Sequence, residues 1–277
     1  MTVPFDPRLV PARPDLAAAH LAGEVAAARY AEGTERRVAV PLLALCATPE
    51  PDAARATELI RGQAFTVYDE RADGMAWGQA GLDGYVGYVR ADALEVGHGP
   101  RVRVTAPWSQ VYQQPAVKAR TGLDLPCLAE IAVSGTTGDF ARLRSGGFVP
   151  RAHLAPVVDW VGLAERFVGA PYLWGGRSLQ GIDCSGLVQL SLLASGRRAP
   201  RDSDMQAAMV GALLPPRARL QRGDLVFWKG HVGIMRDART LLHANAHHMA
   251  VVSEPLAVAI ERIVASGGGP TLLRRRP

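Results

Sequence analysis

The feature that most constrains the fold of this chain is a short sequence pattern that occurs at the end of two consecutive segments of similar composition. From about residue 37, short apolar runs alternate with turns rich in glycine, aspartate and proline, as is typical of small all-β domains. The first segment ends in Gly84-Tyr-Val-Gly-Tyr-Val-Arg-Ala-Asp-Ala-Leu94 and the second in Gly146-Gly-Phe-Val-Pro-Arg-Ala-His-Leu154. Both endings contain a glycine, an aromatic residue, a valine and a closing leucine. The repeat predicts two copies of a β-barrel of about 60 residues each.

The part before the first repeat has a different composition. Residues 1–14 are rich in proline, which predicts an extended segment. The alanine-rich run 17–31, with Asp15 as its N-cap and Gly33 near its end, predicts a helix. The sequence therefore predicts four parts, namely an N-terminal segment (1–36), two barrels (37–95 and 96–156) and a further domain (157–277).

Beyond about residue 157, helical and strand-like runs alternate, which predicts an α+β domain. Within it, Cys184 opens an amphipathic helical run that ends at Gly196. A thiol in the first turn of a helix lies near unpaired N–H groups and the positive end of the dipole, which favours the thiolate. His231 and His243 follow in apolar, strand-like segments. A cysteine at a helix start with later histidines is typical of a papain-like nucleophilic site.

Five blocks of this last part occur in an order that is found in a known family. They are Pro171-Tyr-Leu-Trp-Gly-Gly176, Asp183-Cys-Ser-Gly-Leu-Val188, Pro200-Arg-Asp-Ser203, Gly223-Asp-Leu-Val-Phe227 and His231-Val-Gly-Ile234. With these blocks, residues 157–277 strongly resemble the NlpC-type murein endopeptidases, a papain-like family that acts on bacterial cell-wall peptides. The two β-rich segments resemble bacterial SH3-like domains. The resemblance implies two small all-β SH3-like barrels followed by an α+β papain-like cysteine peptidase domain.

The resemblance also implies roles for individual residues. Cys184 would be the nucleophile and His231 its base, while the Tyr172 hydroxyl and the Cys184 amide would stabilise an oxyanion. His243 would orient His231 through its other ring nitrogen, but Asn245, His247 and His248 are alternatives for this third position. No cofactor or metal is implied. A zinc site formed by the cysteine and the two histidines is less favoured, because no two of these candidate ligands have the short sequence spacing that is typical of paired zinc ligands.

Members of the family mainly cleave the bond between the γ-carboxyl group of D-glutamate and a diamino acid. A subgroup with two N-terminal SH3-like domains and no signal peptide acts on free peptides during murein recycling, and it requires an unblocked N-terminal L-alanine. This chain resembles that subgroup in layout. The substrate contacts that we expect are, in chain order, Glu58, Tyr85, Trp174, Asp183, Ser185 and Ser203.

Each of these contacts has a chemical reason. Asp183 and Glu58 are carboxylates for the substrate ammonium group, and Tyr85 belongs to the domain expected to lean into the cleft. Ser185 and Ser203 are candidates for the free carboxylate of D-glutamate, and Trp174 is expected to line the cleft. Tyr85 has an alternative interpretation as an ordinary aromatic residue of a barrel core.

Composition limits the partners and the compartment. The formal net charge is +5, but the three arginines at 274–276 predict a solvated, frayed tail, and no basic stripe with interleaved aromatic residues indicates nucleic-acid binding. No apolar run approaches the ~18–20 residues that span a bilayer. Three widely spaced cysteines and an N-terminus without a secretory pattern predict a cytoplasmic protein.

Two alternatives remain open at this point. The protein could be a periplasmic hydrolase of intact muropeptides, if a signal peptide has been removed. It could also be a cell-wall-binding module in which the SH3-like pair carries the function. The complete set of Cys184, His231 and His243 favours the peptidase, because a pure binding module does not need it.

Overall fold

The computed structural model describes residues 5–97, 99 and 101–277 and divides into two compact units. One unit holds the chain up to Val104 together with Gln110–Arg151. The other holds Thr105–Ser109 together with Ala152–Pro277. Among the described residues, no helix is long and apolar enough to cross a membrane.

The N-terminal half of the first unit contains short strands. They are β1 (Ala17–Ala18), β2 (Tyr30–Ala31), β3 (Thr34–Val38), β4 (Leu42–Cys46), β5 (Arg55–Ile60), β6 (Ala64–Glu70), β7 (Met75–Ala80), β8 (Val86–Arg90) and β9 (Leu94–Glu95). Seven of them form one sheet in the order β5-β4-β8-β7-β6-β3-β9, and neighbouring strands are antiparallel. Two short 3-10 helices, Ala19–Leu21 and Ala91–Ala93, lie in the connections.

Alternation of buried and exposed side chains builds the core of this sheet. Leu43 and Leu45 on β4 point inward while their neighbours are half-buried, and Phe65 and Val89 are fully buried against them. Gly87, in the pattern that closes the segment, has no room for a side chain, because a Cβ atom would collide with Leu45. The glycine of the closing pattern therefore permits close packing of β8 against β4.

The helix expected over residues 17–31 is wrong. This run contains β1, a single 3-10 turn and β2, and β1 pairs with β2 in parallel. Asp15 does not cap a helix, because its carboxylate accepts hydrogen bonds from the Arg13 side chain at 3.0 and 2.8 Å. Leu16 is fully buried and packs with Trp77 and Tyr88 of the sheet. Packing against the sheet thus overrides the helix propensity of alanine.

The second β-rich segment has its own strands. They are β10 (Val102–Arg103), β11 (Trp108–Tyr112), β12 (Thr121–Pro126), β13 (Glu130–Ile131), β14 (Val133–Thr137), β15 (Phe140–Leu143) and β16 (Phe148–Pro150). Five of them form a sheet in the order β12-β11-β16-β15-β14, and β10 pairs with β13. A 3-10 helix, Arg151–Leu154, follows. That this segment is a second SH3-like domain stays a prediction.

The second unit is an α+β domain, as expected. Its helices are α1 (Trp160–Glu165), α2 (Cys184–Ala194), α3 (Ser203–Met209) and α4 (Leu256–Ala265). Its strands are β17 (Arg177–Ser178), β18 (Gly181–Ile182), β19 (Ala212–Leu213), β20 (Leu225–Trp228), β21 (His231–Met235), β22 (Thr240–Asn245), β23 (Ala250–Pro255) and β24 (Leu273–Arg276). Six of these strands form an antiparallel sheet in the order β19-β24-β20-β21-β22-β23.

Helix α2 is the centre of this unit. All eleven of its residues are buried, as is typical of a helix that is covered on every side. It packs against α1 and against strands β21 and β22. Its N-cap is Asp183, and shortly after its end Gly196 has the positive φ of 79° that often follows a helix. The sheet therefore meets the N-terminal end of α2 with the strands that carry His231 and His243.

The frayed basic tail expected at 274–276 is also wrong. These arginines belong to β24, which pairs with β20 and β19. Arg276 donates to both oxygens of Asp224 at 2.8 and 2.9 Å, and Asp224 has no exposed surface. Arg275 donates to the carbonyl groups of Ala208 and Gly211 at the C-terminal end of α3. Charged side chains fit a strand here because each guanidinium finds acceptors.

Candidate active site

Cys184 occupies the first turn of α2 and is almost buried, with 8% of its surface exposed. The backbone N–H groups of Val232 and Ser185 donate to its sulfur. Val232 directly follows His231, so the sulfur lies beside the start of strand β21. The fold thus brings together the cysteine of the helix and the histidine strand that the sequence predicts as partners.

The surroundings of Cys184 hold it as a thiol. Burial, together with the negative charge of Asp183, raises the pKa of Cys184 to about 12 and outweighs the two N–H donors and the Arg201 guanidinium. The thiolate that the helix start was expected to favour is therefore not the resting state at neutral pH. Attack by the sulfur requires a base that removes the proton.

His231 and His243 form a direct pair. Nε2 of His231 lies 2.8 Å from Nδ1 of His243, and the two residues lie on the neighbouring strands β21 and β22. Burial, with a contribution from the positive charge of Arg262, lowers the pKa of His231 to about 4. His231 is consequently neutral at physiological pH and able to accept a proton.

His243 has partners on its other side. Its Nε2 lies 2.8 Å from Oε1 of Glu254 and 3.1 Å from Nδ2 of Asn245. Burial and the neighbouring His231, Arg262 and His248 lower the pKa of His243 to about 2. Among the alternatives for the third position, Asn245 contacts His243 rather than His231, and His248 contacts Asn245. His247 lines a cavity together with both histidines of the pair. The structure therefore places His243 against His231.

Tyr172 lies near the cysteine. Its N–H donates to the carbonyl of Met249 at 2.9 Å, and it bridges to Ile182, just before the N-cap of α2. Burial, with electrostatic contributions from Cys184 and Asp183, raises the pKa of Tyr172 to about 12. Its hydroxyl group stays protonated at neutral pH and can donate a hydrogen bond to developing negative charge, as an oxyanion site requires.

Several donors of the protein itself surround the carboxylate of Asp183. Its carboxylate accepts from the backbone N–H groups of Gly175 and Gly186 at 2.8 and 2.7 Å and from the Ser185 hydroxyl at 3.2 Å. It also accepts two bonds from Arg201, at 3.0 and 2.6 Å. Five donors thus share the two oxygens of Asp183, which is 6% exposed, and its contact with a substrate ammonium group stays a prediction. The carboxylate also fixes the start of α2.

The other predicted contacts in this unit differ in accessibility. The Ser185 hydroxyl is buried and accepts from Arg201 at 2.8 Å. Ser203 is half-buried at the start of α3, whose N-cap is Asp202. Trp174 is 66% exposed. Trp174 and Ser203 therefore present surface that a ligand can reach, whereas Ser185 is enclosed.

Tyr85 and Glu58 lie in the first unit. Tyr85 is 6% exposed and belongs to the core of the seven-stranded sheet, which agrees with its alternative interpretation as a barrel-core aromatic residue. Glu58, on β5, is buried and forms an ion pair with Arg55 at 2.7 Å. Their contacts with a substrate stay predictions.

Four polar residues of the site were not singled out from the sequence. Arg201 is 1% exposed, and Gln206 has no exposed surface and donates to the carbonyl of Ser185 at 2.9 Å. Glu254 and Arg262 complete the surroundings of His243. Arg201 belongs to one of the five sequence blocks, so the sequence indicates that its position matters but does not indicate its role. Glu254 could be found only from the pairing register, which sets His243 opposite Val252 and therefore near Glu254 two residues later.

A buried cysteine at a helix start beside a paired histidine on an antiparallel sheet defines the papain-like class of cysteine peptidase domains. Residues 169–262 match the NlpC/P60 family, and residues 45–94 match the bacterial dipeptidyl-peptidase SH3 domain. The chain therefore carries one bacterial SH3 domain and an NlpC/P60 peptidase domain, which confirms the resemblance of the first β-rich segment and of the last part of the sequence.

Individual relatives agree with this assignment. A gamma-D-glutamyl-L-lysine dipeptidyl-peptidase of Bacillus cereus is 28% identical over 222 residues, which cover 70% of this chain and 63% of the relative. Dipeptidyl-peptidase 6 of Lysinibacillus sphaericus is 33% identical over 124 residues, which cover 41% of this chain and 44% of the relative. The chain thus spans less than two thirds of the length of these relatives.

A solved structure supports the fold. The crystal structure of an NlpC/P60 family protein from Bacillus cereus superposes with a TM-score of 0.71 at 19% identity and covers 88% of this chain and 99% of the other. At this level of identity, the likeness concerns the fold alone.

Proposed function

We propose that this protein is a cysteine endopeptidase that hydrolyses the bond between the γ-carboxyl group of D-glutamate and an L-diamino acid, diaminopimelate or lysine, in murein peptides. The observation that carries the proposal is the neutral His231–His243 pair beside the buried thiol of Cys184. The name of the Bacillus cereus relative, a gamma-D-glutamyl-L-lysine dipeptidyl-peptidase, supports the choice of bond.

The geometry suits acyl transfer through a thioester. His231 removes the proton of the Cys184 thiol, and the sulfur attacks the γ-carbonyl carbon of D-glutamate. The Tyr172 hydroxyl and the N–H group at the start of α2 donate to the resulting oxyanion. The C–N bond then breaks, and protonated His231 returns its proton to the departing amine. A water molecule hydrolyses the thioester in the same way, with His231 again as the base.

We further propose that the substrates are free peptides with an unblocked N-terminal L-alanine, taken up again during cell-wall recycling in the cytoplasm. Three cysteines without a disulfide fit a reducing compartment. Because Asp183 also pairs with Arg201, a second acceptor for the substrate ammonium group is needed, and Glu58 remains the predicted carboxylate for it. Ser203 and the exposed Trp174 remain the predicted contacts in the peptidase unit.

A mass-spectrometric hydrolysis assay tests both proposals. L-Ala-γ-D-Glu-diaminopimelate should give L-Ala-D-Glu and free diaminopimelate with the purified protein, and Cys184→Ala, with an unchanged circular dichroism spectrum, should give no product. The N-acetylated peptide should be cleaved at least about 100-fold more slowly, because a group that accommodates an ammonium ion loses its charged partner. Equal kcat/KM for the two peptides would contradict the recycling assignment and favour hydrolysis of intact muropeptides.

A further inference from the structure

A carboxylate and a guanidinium group lie beyond His243, on the side away from His231. Oε1 of Glu254, on β23, is 2.8 Å from Nε2 of His243. Arg262, on α4, donates to both oxygens of Glu254, at 3.0 and 2.6 Å. The His243 side chain has no exposed surface, and only 12% of the Glu254 side chain is exposed. The proposed mechanism assigns no task to this ion pair.

Two neighbours of His243 demand opposite protonation of its Nε2 atom. The Glu254 carboxylate can only accept a hydrogen bond and therefore needs a proton on Nε2. The Asn245 amide, 3.1 Å away through Nδ2, would donate and needs a lone pair there. The backbone N–H of His248 donates to Oδ1 of Asn245 at 2.9 Å, so the amide cannot simply be turned round.

The carboxylate decides this competition. Its contact with Nε2 is shorter, 2.8 against 3.1 Å, and a hydrogen bond to an ionised acceptor is roughly twice as strong as a bond between neutral groups. Nε2 of His243 therefore carries the proton, and Nδ1 of His243 keeps its lone pair. That lone pair accepts from Nε2–H of His231 across the 2.8 Å contact.

The consequence reaches the base itself. When Nε2 of His231 donates to His243, the remaining Nδ1 of neutral His231 is unprotonated and can accept the proton of the thiol. If Asn245 prevailed, His243 would donate from Nδ1, and Nδ1 of His231 would carry the proton. His231 could then no longer act as the base through that atom.

We propose that Glu254, held by Arg262, is a positioning residue that sets the tautomers of His243 and His231 and so leaves Nδ1 of His231 free to act as the base. The proposal rests on the proposed peptidase function for its catalytic meaning. In this role Glu254 acts on the base through His243, with which it is in direct contact.

Glu254→Gln tests the role with little change of shape. Both carboxylate oxygens accept from Arg262, so either orientation of a glutamine amide sets its NH₂ group against a guanidinium donor. A neutral amide also loses the advantage of charge over Asn245, so the orientation with NH₂ at the position of Oε1, in which both amides donate to Nε2 of His243, is favoured and reverses the tautomer. The double variant E254Q/R262M removes the guanidinium and allows the glutamine oxygen to face His243 again. Glu261→Gln is the matched control, because Glu261 is exposed on α4, the helix that carries Arg262.

The first readout needs no substrate. In the full-length protein labelled with ¹⁵N-histidine, NMR should find the proton of both His231 and His243 on Nε2, and in E254Q on Nδ1. E261Q should match the wild type, and E254Q/R262M should return towards it. Alkylation of Cys184 by iodoacetamide at neutral pH, located by peptide mapping, should slow about 10- to 100-fold in E254Q, the size of effect found for residues that orient catalytic or metal-bound histidines.

The second readout uses the murein tripeptide. For E254Q, kcat should fall by the same factor while KM stays within about two-fold, because the carboxylate does not touch the peptide. A proton on Nδ1 of His231 in the wild-type protein would overturn the inference even if E254Q failed to fold. Wild-type alkylation and hydrolysis by folded E254Q would also overturn it. If the tautomers and alkylation behave as expected but no murein peptide is cleaved, the relay stands and the proposed function fails.

Discussion

Replacing Asp183 by asparagine should destabilise the peptidase unit far more than an ordinary loss of a helix cap. The five groups that surround the carboxylate are all donors: two backbone N–H groups, the Ser185 hydroxyl and two N–H groups of Arg201. An asparagine amide has the same shape, but either orientation points its NH₂ group at one of these donors. The change also removes the carboxylate with which Arg201, with 1% of its side chain exposed, forms an ion pair.

The size of the effect follows from burial. Removing one member of a buried ion pair costs roughly 3–5 kcal/mol, because the other charge stays desolvated. Asp159 provides the matched comparison, since it caps α1 through Gly162 and pairs with Arg222 but keeps 60% of its side chain exposed. Asparagine caps a helix as well as aspartate does, and an exposed ion pair contributes about 0–1 kcal/mol. Asp159→Asn should therefore change stability by less than about 1 kcal/mol.

Urea unfolding of both variants, followed by the fluorescence of tryptophan residues and by circular dichroism, measures the difference. The transition of the peptidase unit should move to clearly lower urea in Asp183→Asn and stay near the wild-type midpoint in Asp159→Asn. Equal, small shifts in the two variants would refute the reasoning. A normal urea midpoint together with a raised KM for the murein peptide would support the substrate-binding role of Asp183 expected from the sequence.

Three further predictions concern the catalytic groups. His231→Ala should lower kcat by several orders of magnitude. His243→Ala should lower kcat less and His243→Asn least, because an amide oxygen still accepts a hydrogen bond from the imidazole. Steady-state kinetics on the tripeptide give this ranking, and equal losses of kcat would argue against separate roles. Tyr172→Phe should lower kcat about 10- to 1000-fold with little change in KM, as for other oxyanion donors, and an unchanged kcat would remove Tyr172 from the site. The pKa values of His231 and His243, about 4 and about 2, lie below the ordinary value of 6.5. As the pH falls, these histidines are therefore protonated in the unfolded chain before they are protonated in the folded protein. Their contribution to stability is complete above about pH 6.5 and is lost as the pH falls towards 4 for His231 and towards 2 for His243. Melting temperatures below pH 6.5 should therefore drop less steeply in His243→Gln than in the wild type.

Pattern and spacing were sufficient where local sequence dictates structure. The structure agrees with the predicted start of α2 at Cys184, its end before Gly196 and the strand that begins at His231. The signals for these boundaries are local, namely an N-cap residue, a glycine with positive φ and a pattern of apolar residues. The run 17–31 failed because alanine is compatible with any small buried site, and the partner that buries Leu16 lies some 60 residues further along the chain.

Long-range pairing limited what could be predicted about the site. His243 was expected beside His231 from hairpin spacing, and the structure places it there. Asp183 was expected to contact substrate because a carboxylate stands next to the nucleophile, whereas its ion pair with Arg201 depends on packing that the sequence does not show. Glu254 and Arg262 carry no motif, and their relation to His243 follows from the register of β22 with β23 and the packing of α4.

The strand order of the peptidase sheet has a consequence for synthesis on the ribosome. Strand β24 follows every other element of the unit in sequence, yet it lies between β19 and β20. Until Arg276 has left the exit tunnel, one edge of β20 is unpaired, although all four of its side chains are buried in the folded unit. During this time Asp224 lacks the Arg276 guanidinium, and Arg275 has not yet reached the end of α3. An open apolar edge pairs readily with other chains. Folding of the nascent peptidase unit is therefore completed only when β24 inserts between β19 and β20.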